Sequence, residues 1–153
     1  MNYVWKLPPR IKVLEALGCI ADDRIQLIAE NEAKVVSSTG ERTYSVKWDG
    51  NKAIFSDDNG SIYRGYLGYP SIAFLMKKGV LPFDEKIAEG LKGIPWKRLN
   101  ERYKKYWIVE SIVKRKLERK GIDSKYVDAF IKRVMEAIKK EKFTKLEEEL
   151  SAS

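Results

Sequence analysis

Basic side chains are concentrated in one segment of this chain, residues 97–120. The segment holds ten lysines and arginines against three acidic residues, a net of +7, and the whole chain of 153 residues carries +8. Clustered charge attracts a polyanion more strongly than the same charge spread over a surface. The basic residues form two groups: Lys97, Arg98, Arg102, Lys104 and Lys105, then Lys114, Arg115, Lys116, Arg119 and Lys120. The segment therefore predicts contacts with a nucleic-acid backbone, in which the arginines can bind phosphate with two hydrogen bonds each.

A second interpretation of the same charge stays open. Charged residues make up 34% of the chain and Gln26 is its only glutamine. This composition fits a protein from a hot-growing organism, in which lysine-rich helical faces are commonly solvated ion-pair surfaces. The segment also contains no base-reading motif, which counts against the nucleic-acid interpretation.

A loop rich in tyrosine and glycine, residues 60–69, is the second candidate site. It contains Tyr63, Arg64, Tyr66 and Tyr69. Tyrosines at this spacing can fill a core, or they can be platforms on which bases stack while Arg64 binds phosphate. The preceding residues, 57–60, have the sequence Asp-Asp-Asn-Gly, which predicts a turn and not a metal site.

The residues that most often carry out catalysis are scarce. The chain has no histidine and one cysteine, Cys19. General acid–base chemistry would rest on carboxylates, lysine or tyrosine alone, and a zinc site is not expected. We therefore expect a non-enzymatic protein without metal or cofactor. No signal peptide and no apolar run of roughly 20 residues is present, which predicts a cytoplasmic protein without a membrane partner.

Hydrophobic periodicity predicts an α+β fold in two parts. A small antiparallel β-meander with helices is expected over residues 1–93, followed by a basic helical hairpin packed on it over residues 94–153. Strands are predicted at 24–28, 33–38, 42–48 and 52–56, and the third alternates apolar with polar residues. Asp49 and Gly50 predict the last hairpin turn because both residues tolerate positive φ.

Five helices are predicted, at residues 10–18, 70–79, 84–91, 96–120 and 124–143. Asp84 is the expected N-cap of the third, and Gly121 is the expected C-cap of the fourth. The fourth helix would carry both basic groups, with centres ~24 Å apart at 1.5 Å per residue. Its apolar middle, residues 107–113, is predicted to be buried on more than one side. Residues 146–150 are expected to form an acidic frayed end, and residues 151–153 a tail.

The stretch 34–79 resembles the SWIM zinc-finger family. Residues 36–40 and 44–46 stand in the positions of the family's hairpin, and residues 73–76 stand at the start of its helix. Ile54-Phe55-Ser56 stands where the family has Cys-x-Cys, and Gly68-Tyr69-Pro70 stands where it has Cys-x-His. All four zinc ligands are therefore replaced, and the family's zinc cannot be carried over.

The resemblance implies a hairpin-plus-helix module closed by burial in place of a metal. The side chains expected to provide that burial are Trp48, Ile54 or Phe55, Tyr63, Tyr66, Tyr69 and Phe74. Burying a large apolar side chain contributes ~1.5–3 kcal/mol, so several together match the ~10–16 kcal/mol of a structural zinc. This comparison favours the core interpretation of the tyrosines.

Together these observations predict a non-enzymatic nucleic-acid-binding protein. SWIM domains are held to bind DNA or protein, so the resemblance implies binding, and the charge favours nucleic acid, with DNA expected over RNA. The alternative is a protein-interaction adaptor that uses the tyrosine loop as its hot spot for a protein partner. Exposure of Tyr63, Tyr66 and Tyr69 would favour the adaptor. A solvent-exposed basic helix free of acidic neighbours would favour nucleic acid.

Overall fold

The computed structural model describes residues 2–147 and shows an α+β fold. Five strands form one sheet in the order β1 to β5. They are β1 Ile25–Ala29, β2 Glu32–Val36, β3 Thr43–Trp48, β4 Ala53–Ser56 and β5 Thr144–Lys145. The first four strands pair as an antiparallel meander, which confirms the prediction. The fifth was not predicted, and it pairs parallel to β4 at the end of the described chain.

Alternation along the strands places one face of the sheet in the core. In the β2–β3 pair, Ala33 lies opposite Val46 and Val35 opposite Tyr44. Ala33, Val35 and Val46 are buried, while Lys34 between them is exposed. This period of two is the pattern expected of a half-buried antiparallel sheet.

Six α-helices and one π-helical turn accompany the sheet in the described chain. The helices are α1 Ile11–Ala21, α2 Tyr69–Lys77, α3 Glu85–Gly90, α4 Trp96–Tyr103, α5 Tyr106–Arg119 and α6 Ser124–Glu141, and the π-helical turn is Gly60–Arg64. Asp84 caps α3 as predicted, because its carboxylate accepts the N–H of Ile87 at 2.8 Å. Between residues 2 and 147, no helix is long and apolar enough to cross a membrane.

Helix α1 is the centre of the molecule. It contacts α2, α3, α5 and α6. All residues from Val13 to Cys19 are buried. The buried apolar residues form a single cluster that extends from Trp5 to Phe143. Residues on both sides of the predicted boundary at 93/94 contribute to this cluster. The helical hairpin of α5 and α6 lies at the C-terminal end of the chain, as predicted.

The prediction of one continuous helix over residues 96–120 is wrong. Helix α4 ends at Lys104, which adopts the left-handed conformation with φ +56° and donates its N–H to the Asn100 carbonyl. Lys105 is extended, and α5 begins at Tyr106. Aromatic and β-branched residues at 106–109 have low helix propensity, and the break lets Trp96 and Val109 both be buried. Packing of two short helices is thus favoured here over one continuous helix.

The predicted burial of residues 107–113 on more than one side is also wrong. Trp107 is 68% exposed, and α5 buries one stripe made of Val109, Val113 and Leu117. Helix α5 contacts α1, α4 and α6, and these contacts bury only that stripe. Most of the predicted acidic end, residues 148–150, and the predicted tail, residues 151–153, lie outside the described residues.

Candidate nucleic-acid interface

Three of the ten predicted basic residues are engaged within the protein. Lys97 forms a salt bridge with Glu41 at 3.1 Å, and its backbone N–H is donated to Ser38 at 3.2 Å. Lys114 lies 2.8 Å from Asp128, and Lys120 donates to the Gly90 carbonyl at 2.7 Å. The basic segment is therefore not free of acidic neighbours, and part of it joins elements of the fold.

The other seven basic residues make no ion pair within residues 2–147. They are Arg98, Arg102, Lys104, Lys105, Arg115, Lys116 and Arg119. All but Lys116 are exposed. Because the segment is two helices, the ~24 Å spacing calculated for a single straight helix does not apply. The structure thus separates the α4 arginines from the basic end of α5.

A groove runs between α4 and the turn that joins β2 to β3. Its outer part is a depression of about 450 Å³ lined by Thr39, Glu41, Lys97, Arg98, Glu101 and Arg102. Its inner part is a cavity of about 380 Å³ that shares Thr39, Glu41, Lys97 and Glu101 with the depression. We call the two parts together the α4 groove.

Arginines line both parts of the α4 groove. Arg98 and Arg102 line the outer depression, and Arg42 lines the inner cavity. All three are exposed, and none has an acidic partner among the described residues. Arg42 reaches only the Asn59 side-chain oxygen, at 3.5 Å. The two carboxylates of the outer part, Glu41 and Glu101, both lie against Lys97 and not against an arginine, and the lining residues of that part carry more positive than negative charge.

The floor of the cavity contains a buried ion pair from α1. Lys12 Nζ lies 3.0 Å from Glu15 Oε2, and the two side chains are only 14% and 6% exposed. Burial lowers the pKa of Lys12, but the charge of Glu15 and nearby Tyr66 and Tyr106 raise it more, so the pKa lies above its usual range. The Lys12 ammonium group therefore stays charged at physiological pH, and its partner Glu15 lines the same cavity.

Tyr69 is the one residue of the tyrosine loop that lines the cavity. Its ring meets that of Tyr44 edge to face at 6.4 Å, and the Arg24 guanidinium lies 6.0 Å from its centre. Burial raises the pKa of Tyr69, as does Cys19, while Arg24 lowers it. The hydroxyl is accordingly neutral at physiological pH and can donate or accept a hydrogen bond.

The other three candidate residues of the tyrosine loop, Tyr63, Arg64 and Tyr66, do not line the cavity. Tyr63 is 77% exposed on the π-helical turn, so its predicted role in the core is wrong. Arg64 beside it is also exposed. Tyr66 is half-buried and lies close to Lys12 and Tyr106. In this turn Ser61 is buried and residues 62–64 are exposed.

The predicted turn at residues 57–60 contains a buried hydrogen-bond network. Asp58 accepts from the hydroxyls of Ser56 at 2.6 Å and Ser61 at 2.8 Å. Ser56 also lies 2.9 Å from the Ser71 hydroxyl. Two of the positions matched to SWIM zinc ligands, Ser56 and Gly68, adjoin this carboxylate, and a Cβ on Gly68 would overlap Asp58 Oδ2.

Four buried side-chain atoms within residues 2–147 have no hydrogen-bond partner. They are Glu15 Oε2, Arg24 Nε, Trp96 Nε1 and Asn100 Oδ1. All four residues line the cavity of the α4 groove. Of these atoms, Glu15 Oε2 has the ion pair with Lys12 but not hydrogen-bond geometry to it. The described part of the chain brings together no group of three or more acidic or cysteine side chains that could hold a metal ion.

Sequence reasoning missed the residues that form the cavity, including Glu15, Arg24, Arg42 and Asn100. One signal was available for Glu15. Lys12 and Glu15 stand three residues apart in an otherwise apolar helix, where charges are rarely buried unless paired. No comparable signal marks Asn100, because its position depends on how α4 packs against α1.

One family model matches most of the chain. The chain belongs to the family described as uncharacterised conserved protein UCP014422, whose model matches residues 5–144. This match covers both predicted parts of the chain. No curated protein and no solved structure matches the chain.

Proposed function

We propose that this protein is a non-enzymatic nucleic-acid-binding protein that holds a strand along the α4 groove. The observation that supports the proposal is the set of exposed arginines, Arg42, Arg98 and Arg102, which line one groove and lack acidic partners among the described residues. Arginine is suited to phosphate because its guanidinium can donate two parallel hydrogen bonds.

The groove favours a single strand over a duplex. It lies between a hairpin turn and one short helix, and its inner part is lined by the partly buried aromatic residues Tyr44 and Tyr69. Proteins that bind single strands combine a positively charged groove with aromatic side chains on which bases stack. The SWIM resemblance, as a hypothesis of kinship, favours DNA over RNA.

The two basic groups of the sequence have different expected roles. Arg98 and Arg102 bind the strand directly, and Lys104 and Lys105, at the break between α4 and α5, extend the positive charge beyond the groove. Arg115, Lys116 and Arg119 line neither part of the groove. They contribute long-range attraction, which is screened over about 8 Å at physiological salt.

Binding of a labelled single-stranded DNA oligonucleotide tests the proposal. The combined change Arg42→Ala, Arg98→Ala and Arg102→Ala should weaken binding at least about tenfold, because three phosphate contacts are lost. The matched control removes the same charge from α6 through Lys125→Ala, Lys132→Ala and Lys139→Ala, which are exposed and outside the groove. An equal loss in both triple variants would contradict a defined groove, and no loss in either would contradict binding through the groove arginines. A wild-type protein that does not bind the oligonucleotide would contradict nucleic-acid binding.

A protein-interaction adaptor is the second candidate, favoured by a different surface. Tyr63 is 77% exposed and its neighbour Ile62 is 48% exposed. Exposed aromatic side chains of this kind are common anchors of protein interfaces. Tyr63→Ser should leave DNA binding unchanged if the groove is the site. A protein whose DNA binding depends on Tyr63 and not on the groove arginines would require a different interface from the one proposed.

A further inference from the structure

Aromatic and basic side chains alternate where the chain passes from α4 to α5. Positions 102–107 have the sequence Arg-Tyr-Lys-Lys-Tyr-Trp, with no acidic residue among them. We call these residues the break segment, and all of them except Tyr103 are exposed. The nearest carboxylates along the chain, Glu101 and Glu110, each lie against a lysine outside the segment. The break segment therefore presents positive charge and aromatic surface together.

Trp107 is the least buried tryptophan of the chain. It is 68% exposed, whereas Trp5 and Trp96 are buried and Trp48 is half-buried. Burying a large apolar side chain contributes ~1.5–3 kcal/mol, yet the buried stripe of α5 consists of other residues. A large aromatic ring is thus left in water beside three basic side chains, where it is available to a partner.

The break segment lies directly beyond the arginines of the α4 groove. Arg98 and Arg102 are one helical turn apart on α4 and line the outer depression. Helix α4 ends at Lys104, Lys105 is extended, and α5 begins with the residue before Trp107. The five residues from Arg102 to Trp107 span at most ~18 Å. A strand bound by the two arginines can therefore reach Trp107 with its next few nucleotides.

We propose that the bound strand leaves the α4 groove along the break segment and stacks a base on the indole ring of Trp107. Lys104 and Lys105 then contact the adjoining phosphates. This inference rests on the proposed function and assigns it a base contact that is exposed, unlike the partly buried Tyr44 and Tyr69. Sites for single strands combine basic side chains with aromatic platforms, and stacking tolerates every base because each has a π-face. The ligand is single-stranded nucleic acid without a required sequence.

Two labelled strands with equal numbers of phosphates separate base contacts from backbone contacts. One is oligothymidine, and the other is an abasic strand of the same length. The wild-type protein should bind oligothymidine at least about fivefold more tightly, since stacking contributes ~1–3 kcal/mol per base. Trp107→Leu keeps an apolar side chain but removes the ring, and it should reduce this ratio at least about threefold.

Tyr63→Leu is the matched control. It removes another exposed aromatic ring, one that lies outside the break segment and lines neither part of the groove, and it should preserve the ratio. Trp107→Phe retains an aromatic ring and should keep most of the preference for oligothymidine. A ratio that Trp107→Leu leaves unchanged, as expected if a protein partner binds this surface instead, would overturn the proposal.

The salt dependence distinguishes stacking from the groove contacts. The affinity lost in Trp107→Leu should be the same at low and high salt, because stacking releases no counterions. The loss in the triple variant at Arg42, Arg98 and Arg102 should instead shrink as the salt concentration rises. Equal wild-type affinity for the two strands would overturn the stacking while leaving the groove intact. A wild-type protein that binds neither strand would contradict the proposed function and the stacking with it.

Tryptophan fluorescence reports the stacked ring directly. Trp107 alone among the four tryptophans is exposed, so oligothymidine should quench the emission of the wild-type protein and the abasic strand should not. Trp107→Leu should lose the quenching while keeping the wild-type melting temperature, because the ring makes no buried contact. Oligothymidine that binds without quenching the wild-type protein, or that quenches the variant equally, would overturn the proposal.

Discussion

Gly18 of α1 and Trp96 of α4 are in such close contact that a Cβ built on Gly18 would lie 2.7 Å from Trp96 Nε1. Trp96 is 2% exposed and lines the cavity. The contact therefore sets how closely α4 approaches the central helix. Because Arg98 and Arg102 lie on α4, the position of the groove arginines depends on a glycine in another helix.

Gly18→Ala should destabilise the protein. Alanine is favoured over glycine inside a helix by ~1 kcal/mol, but overpacking of a core typically costs ~1–3 kcal/mol. The indole ring is rigid and buried, so we expect a net loss of up to ~2 kcal/mol in the free energy of unfolding by urea. In a Trp96→Phe background the same substitution should cost less. A Gly18→Ala protein that is more stable than wild type would show that α1 and α4 are not in this contact.

Stability should fall in mildly alkaline solution because of Cys19. Burial raises the pKa of the Cys19 thiol to about 12, although Arg24 lowers it, whereas an unfolded thiol titrates near ~8.5. The unfolded chain therefore loses the proton first. The free energy of unfolding is unaffected below pH ~8.5 and falls by up to ~1.4 kcal/mol per pH unit above it.

Urea unfolding of wild type and Cys19→Ala between pH 8 and about 10 measures this effect. The variant should lack the decline over that interval. Above pH ~10 both proteins should lose stability, because burial also raises the pKa values of Tyr66 and Tyr69 above that of an unfolded tyrosine. Parallel curves for the two proteins from pH 8 upward would contradict burial of the thiol.

Lys114 should matter for stability and not for binding. It lies 2.8 Å from Asp128 and 3.4 Å from Glu110, and Arg10 contacts the same two carboxylates. This network joins α1, α5 and α6. Lys114→Ala should lower the free energy of unfolding by ~1 kcal/mol or less, since the pairs are partly exposed. The neighbouring Arg115→Ala, which removes an exposed charge without a partner in residues 2–147, is the control and should have no effect.

The same network should make the stability of the protein depend on pH in acidic solution. Burial raises the pKa of Asp128, but the hydrogen bond and charge of Lys114 and the charge of Arg10 lower it more, so the pKa lies below its usual range. The resulting stability is present above pH ~3.9, the value in an unfolded chain, and is lost as the pH falls below it. Lys114→Ala should reduce this loss. An unchanged acid dependence in the variant would show that the network does not hold Asp128 ionised.

Much of the fold could be predicted because local signals agree with it. The alternation from Tyr44 to Trp48 and the turn at Asp49 and Gly50 determine β3 and β4 almost to the residue. The break at Lys104 could not be predicted, because neither Lys104 nor Lys105 is a residue that ordinarily ends a helix. It depends on burying Trp96 and Val109 together, which is a property of the tertiary packing.

The candidate site was predictable only in part, for the same reason. Charge clustering identified Arg98 and Arg102, and the loop composition identified Tyr69. Arg42 comes from a hairpin turn and Glu15 from a central helix, and nothing in their local sequence connects them to α4. Such a site forms only when distant elements pack together. Periodicity and composition can therefore identify single residues of the site, but not which residues lie together.

The salt dependence of DNA binding tests the α4 groove most directly. Each phosphate neutralised on a single strand contributes ~0.7 to the slope of log K against log salt concentration. The combined change Arg42→Ala, Arg98→Ala and Arg102→Ala should lower the wild-type slope by ~2 units. The α6 triple at Lys125, Lys132 and Lys139 should leave the slope within ~0.5 of wild type. A wild-type affinity that does not change with salt, or a slope that the groove triple leaves unaltered, would contradict nucleic-acid binding in the α4 groove.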